Sequence, residues 1–267
     1  MSLKRVMAVV LRQFYLVRGS FSRVLPLFIW VAVDVTLWGF ITRYLGSITS
    51  PGMHWVPSLL GAVLLWDFLI RVMQGITTAF LEDVWSRNFL NFFATPLSIS
   101  EYVSGLVLTS VFTSLVGLVV MLLLATLCFG LSFFDYGVWL VPFLLTLFLF
   151  GIALGILGAA MVLRLGPAAE WFVWPIPALL SPFVGVFYPL STVPAWMRAI
   201  SRLLPPAYVF EGIRTLVARG TAPKGSLLLG AGLAIFYVLL ACQFFSWIFR
   251  RSVQSGLMAR YSAESVS

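Results

Sequence analysis

Asp67 and Arg71, four residues apart in an otherwise apolar run, are the residues of this chain best placed to do chemistry, together with Asp34 in the run before them. A spacing of four puts Asp67 and Arg71 on one face of a helix, where they can pair. Asp34 has no opposite charge three or four residues away, so it requires a partner on another helix, a wet cavity or a proton. A lone charge at mid-bilayer costs about 2.5–3.5 kcal/mol on insertion scales, and ionisable residues at such depth mark ion and substrate paths. The same spacing also suits a self-neutralising pair close to an interface. The chemistry on offer is recognition of a polar or charged group rather than bond making. No His-Glu-x-x-His, cysteine pair or Gly-x-Ser-x-Gly occurs. His54 is the sole histidine, which excludes a multi-histidine metal site. The nearest approach to a phosphate-binding loop, Gly220 to Gly225 followed by Ser226, lacks the lysine that such a cradle needs. No catalytic residue, metal site or bound cofactor is therefore expected on this chain.

The elements that must position these residues are set by composition. Of 267 residues, 61% are hydrophobic and 10% charged, against about 25% charged in soluble domains. No soluble core hides that much apolar surface, so the bilayer is the solvent and an all-α integral membrane fold is expected. The net charge of +8 fits basic loops facing anionic lipid and carries no nucleic-acid signal. Cys128 and Cys242 lie in apolar runs and read as small buried hydrophobes, with no disulfide framework. No short apolar leader with a small-residue cleavage site opens the chain, so its first apolar helix is expected to stay in the membrane.

Six spans are expected, near 24–45, 56–80, 102–130, 138–163, 171–190 and 226–249, each able to reach the ~20 residues a crossing needs. The fifth is short and interrupted by Pro175, Pro177 and Pro182. Six crossings put both ends on one side. Lys4, Arg5, Arg12, Arg18 and Arg23 flank the first span, and Arg250, Arg251 and Arg260 follow the last, which makes that side cytoplasmic. Gly151, Gly155, Gly158 and Ala159 give the fourth span a small-residue face suited to close helix packing.

Three further segments stand out. Leu3, Val6, Met7, Val10, Leu11 and Phe14 recur at helical spacing with the basic residues largely off that stripe, as in an amphipathic helix lying in the interface (1–22). Residues 81–98 read as a separate cytoplasmic helix. Glu82 and Asp83 open it, Trp85, Arg87, Phe89, Phe92 and Phe93 give it an aromatic and basic face, and Thr95-Pro96 ends it. Such a face docks into a partner's groove or dissolves in the headgroups. Ser98 and Glu101 have capping-box spacing for the next helix. Residues 188–224 break at Tyr188-Pro189, turn at Pro194, show a short amphipathic helix around Trp196, and restart at Pro205-Pro206 before Glu211 and Arg214, which are spaced to pair. That pattern reads as a re-entrant hairpin on the outer side.

The block Arg87-Asn88-Phe89-Leu90-Asn91-Phe92-Phe93-Ala94-Thr95-Pro96-Leu97-Ser98 with Gly105, and the hairpin from Tyr188-Pro189 to Arg214, in that order, resemble the type-2 ABC exporter (ABC-2) permease family. The resemblance covers nearly the whole chain as a single transmembrane domain, 1–267, with a tail at 250–267. It implies a permease in a bacterial inner membrane, both termini cytoplasmic, paired with a second permease copy. Two separate ATPase subunits, which carry the ATP and Mg, would dock on residues 81–98, with Glu82, Asp83, Trp85, Arg87, Phe89, Phe92, Phe93 and Pro96 as the coupling set. Tyr188, Pro189, Pro194, Trp196, Pro205, Pro206, Glu211 and Arg214 would form an external gate, and Asp34, Asp67 and Arg71 would line the path. Two rivals stand beside this reading. A glycan or lipid-linked polymer exporter of the same superfamily finds loose support in Phe14-Tyr15-Leu16-Val17-Arg18-Gly19. A proton-coupled secondary transporter would use Asp34 and Asp67, but no paired repeat is visible.

Overall fold

The computed structural model describes residues 1–48, 56–86, 92, 95–131, 133–221 and 223–255. The regular elements among them are helical. In a bilayer a helix satisfies its own backbone groups, which is why so apolar a chain takes this form. We number the helices α1 (Leu3–Arg18), α2 (Phe21–Ile48), α3 (Val56–Trp85), α4 (Ile99–Phe129), α5 (Leu140–Leu165), α6 (Glu170–Val173), α7 (Ile176–Val184), α8 (Ala195–Ser201), α9 (Pro205–Arg219) and α10 (Lys224–Gln254).

Helix α3 forms the centre, packed by α2, α4 and α5, and α5 lies between α3 and α10. The small-residue face of α5 makes this possible. A Cβ built on Gly151 would stand 2.9 Å from the Leu69 carbonyl, and one on Gly155 2.9 Å from Ile76. The backbones of α3 and α5 thus approach more closely than any larger residue permits, as the glycine spacing predicts. Phe80 and Tyr102 are fully buried at one end of the bundle, where Phe80 also meets Phe245 of α10. Helix α1 packs beside them, chiefly on α4.

Five described segments are long and apolar enough to cross a bilayer, Phe28–Ile48, Leu59–Trp85, Ile99–Phe129, Tyr136–Leu165 and Lys224–Gln254. The segment expected as a further span, 171–190, is divided. After a 3₁₀ turn at Gly166–Ala169 come the four residues of α6 and the nine of α7. At 1.5 Å per residue α7 is about 14 Å long, half of a hydrocarbon core. Prolines at 175, 177 and 182 withdraw backbone donors, and Gly185 in the left-handed region (φ 74°) ends the helix. The divided stretch still travels the length of the bundle. Glu170 and Val173 share a small cavity with Leu81, near the α1 end, whereas Gly185 and Val186 meet α9 at the other. Helix α10 then runs back, and Arg251 in its last turn lines a pocket with Arg164 of α5. The first and last described helices therefore finish at the same end.

Two expectations are corrected. Glu82 and Asp83 do not open a separate helix; they sit in the last turn of α3, which continues to Trp85. Cys128 and Cys242 are exposed on the outward surfaces of α4 and α10 rather than buried, as suits small apolar residues facing lipid. Residues 87–91, 93 and 94 and 256–267, which include Arg87, Phe89 and Phe93, lie outside the described residues.

Candidate functional site

Asp34 finds its partner across the bundle. Arg71, near the middle of α3, donates from Nε to Asp67 Oδ2 at 2.6 Å and holds Asp34 Oδ2 of α2 at 3.5 Å from a terminal nitrogen. The three predicted path residues thus form one cluster of two carboxylates and one guanidinium, on two helices. They stand in a cavity of about 610 Å³ between α1, α2, α3 and α4, with Trp174 on its rim. Small-molecule sites fall between about 300 and 1,000 Å³.

The cavity follows a polar stripe down α3. Asp67, Arg71, Gln74, Thr78 and Glu82 recur every three or four residues, and Thr109, Ser110, Thr113 and Ser114 face them from α4. From Asp67 to Glu82 the stripe climbs fifteen residue steps, about 22 Å of helix rise, so the groove runs from mid-bundle to the end where α1 lies. Gln13 and Val17 of α1 close its lower wall. Sequence reading singled out only the charged members. The stripe was legible in the same 3.6-residue period used for apolar faces, applied to the polar residues of α3 and α4.

The second cluster joins α1 to the ends of α3 and α4. Arg12 grips Asp83 with both terminal nitrogens, at 3.0 and 2.5 Å, and the Tyr102 hydroxyl donates to the same carboxylate at 2.6 Å. Asp83 is only 2% exposed. An acid in the last turn of a helix meets the negative end of the helix dipole, and Arg12 offsets this. Burial pushes the Arg12 guanidinium down, but its hydrogen bond to Asp83 and the attraction of that carboxylate outweigh burial and hold it above the usual value. Arg12 also lies 4.5 Å over the Phe92 ring, which tilts against Tyr102 at 5.4 Å. Phe92 therefore packs inward on this cluster, while Trp85 and Pro96 are exposed. Glu101 completes the capping box with Ser98 and in addition accepts the Ser2 backbone N–H at 2.6 Å and pairs with Arg5 at 3.5 Å.

At the opposite end, Glu211 and Arg214 of α9 pair at 3.1 Å, as their spacing predicts. Glu211 also accepts the Leu190 backbone N–H at 2.8 Å, and Arg214 donates to the Gly185 and Val186 carbonyls. The pair therefore fixes the turn after α7. Burial pushes the Arg214 guanidinium below its ordinary value, with Glu211 offsetting part of this. Tyr188 donates to the Pro182 carbonyl at 2.9 Å, Pro189 and Pro194 precede the short turns at Leu190–Thr192 and Ala195–Ser201, and Pro205 and Pro206 open α9. Trp196 is exposed and meets Phe183 edge-on.

A polar stripe on the central span, an amphipathic helix latched at its foot and a proline-broken turn at its head thus lie along one bundle. The model of the family described as ABC-2 family transporter protein matches residues 39–243. The chain belongs to the ABC-2 transporter family. A search of curated proteins finds no match. In this ABC-2 permease the groove, the latch and the proline-broken turn are joined by α3, whose Trp66 touches Phe210 of α9 and whose Asp83 holds α1.

Proposed function

We propose that this ABC-2 permease is the membrane half of an ATP-driven exporter, working as a pair of permeases with two ATPase subunits that bind the ATP and Mg. The observation that carries this is the latch. Asp83 and Glu101, at the two helix ends flanking residues 87–98, are both tied to α1. A push on that segment is passed to α1, α3 and α4 together, and α3 carries the groove. Within residues 81–98, the exposed Trp85 and Pro96 mark the coupling surface, while Asp83 and Phe92 hold it to α1.

Residues 171–190 make a sixth, broken crossing. The stretch runs from one end of the bundle to the other, and irregular backbone is tolerated at membrane depth where protein buries it. Both ends then face the cytoplasm of a bacterial inner membrane, as the basic residues of α1 and of α10's last turn favour. Residues 188–224 form the outer gate, held shut by the Glu211–Arg214 brace until the bundle tilts. Asp34, Asp67 and Arg71 contact substrate. In this scheme the ATPase biases a two-state membrane element.

The test is purification in mild detergent from the native host, followed by identification of what accompanies the chain. An ATPase subunit carrying a Walker A motif, lost on mutation within 81–98, supports the reading. Transport that persists without any ATPase and stops with a proton uncoupler refutes it.

A further inference from the structure

We propose that the groove of α3 selects amphipathic organic monocations. This rests on the permease reading above and specifies what such a permease would carry.

The first observation is a charge imbalance. At the head of the groove two carboxylates, Asp34 and Asp67, share one guanidinium, Arg71. Arg71 is engaged chiefly by Asp67, at 2.6 Å against 3.5 Å to Asp34. Asp34 is also the more open of the two acids, its side chain 32% exposed against 17%. Asp34 also lies within hydrogen-bond reach of Asp67, so the second carboxylate needs a proton or a cation of its own. Removed from bulk water, a negative charge of this kind attracts a cation more strongly than it would in solution. A bound monocation would restore neutrality, whereas an anion would meet two acids for one base.

The second observation is independent of charge. The cavity mouth carries two large aromatic rings, Trp30 and Trp174, both exposed. The indole face is the best aromatic partner for a cation, and quaternary cations without hydrogen-bond donors are recognised this way. The walls also carry Ile70, Ala79 and Gly117, which leave room for an apolar body, and a third acid, Glu82, toward the foot. A cavity of about 610 Å³ accepts a ligand with several rings but is too small to enclose a polymer chain. The amphipathic cation is the one class that satisfies both observations.

The probe is radiolabelled methyltriphenylphosphonium, measured on the chain in nanodiscs of zwitterionic lipid. Its competitor is triphenylphosphine oxide, a neutral molecule of closely similar shape. The expected result is saturable binding of the phosphonium that unlabelled phosphonium displaces and the oxide does not. Asp34→Asn, which leaves the Arg71–Asp67 pair intact and the cluster neutral, should weaken phosphonium binding at least about tenfold. Asp34→Glu should restore it. Equal displacement by the oxide on the unmodified chain overturns the proposal without reliance on any variant, as does phosphonium binding unchanged in Asp34→Asn. Co-purification of an ATPase is scored on the same preparation. An ATPase present with no cation preference refutes this inference alone, and cation binding with no ATPase refutes the exporter reading while leaving the site in place.

Discussion

Replacing Asp83 with alanine should free α1. In the folded chain Asp83 is buried, accepts two bonds from Arg12 and accepts a third from the Tyr102 hydroxyl. Breaking a buried ion pair by removing one partner costs about 3–5 kcal/mol. Arg12 retains 27% side-chain exposure and its place over Phe92, so water and the ring recover part of the loss. The Tyr102 hydroxyl loses its bond to Asp83, and a hydrogen bond to a charged group contributes about 1.5–3 kcal/mol. The lower end of the pair range, about 3 kcal/mol, is the working figure. If α1 opens locally, that lowers its opening free energy by the same amount and raises amide exchange across 3–18 roughly 150-fold. Hydrogen exchange read by mass spectrometry in nanodiscs measures it, with α10 as an internal reference. Exchange in 3–18 within about threefold of the unmodified chain, at unchanged α10 protection, would refute the view that Asp83 holds α1 down.

Other consequences can be measured in parallel. Trp85→Asp should abolish co-purification of the ATPase while the permease still inserts, and an intact complex counts against 81–98 as the docking surface. Gly151→Val should lower the thermal midpoint by overpacking worth about 1–3 kcal/mol, because the new side chain enters the space against the Leu69 carbonyl and Val72; an unchanged midpoint in detergent would show that α3 and α5 can part. Arg214→Ala leaves the Gly185 and Val186 carbonyls and Glu211 without this donor, and protease sensitivity between 185 and 204 should rise severalfold. A cysteine at Trp196, with Cys128 and Cys242 replaced by alanine, should react with an impermeant maleimide added outside; labelling from the cytoplasmic face alone would overturn the proposed sidedness.

Periodic features of the fold were legible because each is written within one segment. The amphipathic face of α1, the glycine face of α5, the capping box at Ser98 and Glu101 and the Glu211–Arg214 pair all depend on spacings of three to eight residues. What escaped is long-range. Asp34 offers no local clue that Arg71 of α3 is its partner, and Arg12 none that it meets Asp83, 71 residues on. Glu82 and Asp83 read as a helix start because an acidic pair after an apolar run looks like an N-terminus by the dipole rule. Here α1 supplies the cation that lets the pair end a helix instead. The division of 171–190 follows from prolines whose presence was visible, whereas the positions of its breaks depend on Gly185 and on a cap donated by Arg214 from another helix.

The latch also dictates an order of events during synthesis. The acids that hold α1 lie 71 and up to 99 residues downstream of the groups they bind. At about 5–20 residues per second, the ribosome needs some seconds to deliver them after α1 has emerged. Throughout that interval the basic face of α1 has only lipid headgroups to bind, which parks it at the membrane surface while α2 and α3 are threaded. Arrival of Asp83 and Glu101 then transfers Arg12 and Arg5 from lipid phosphate to protein carboxylate. Docking of α1 thus reports that the first two long helices and the start of the third are in place, giving the nascent permease a built-in assembly checkpoint.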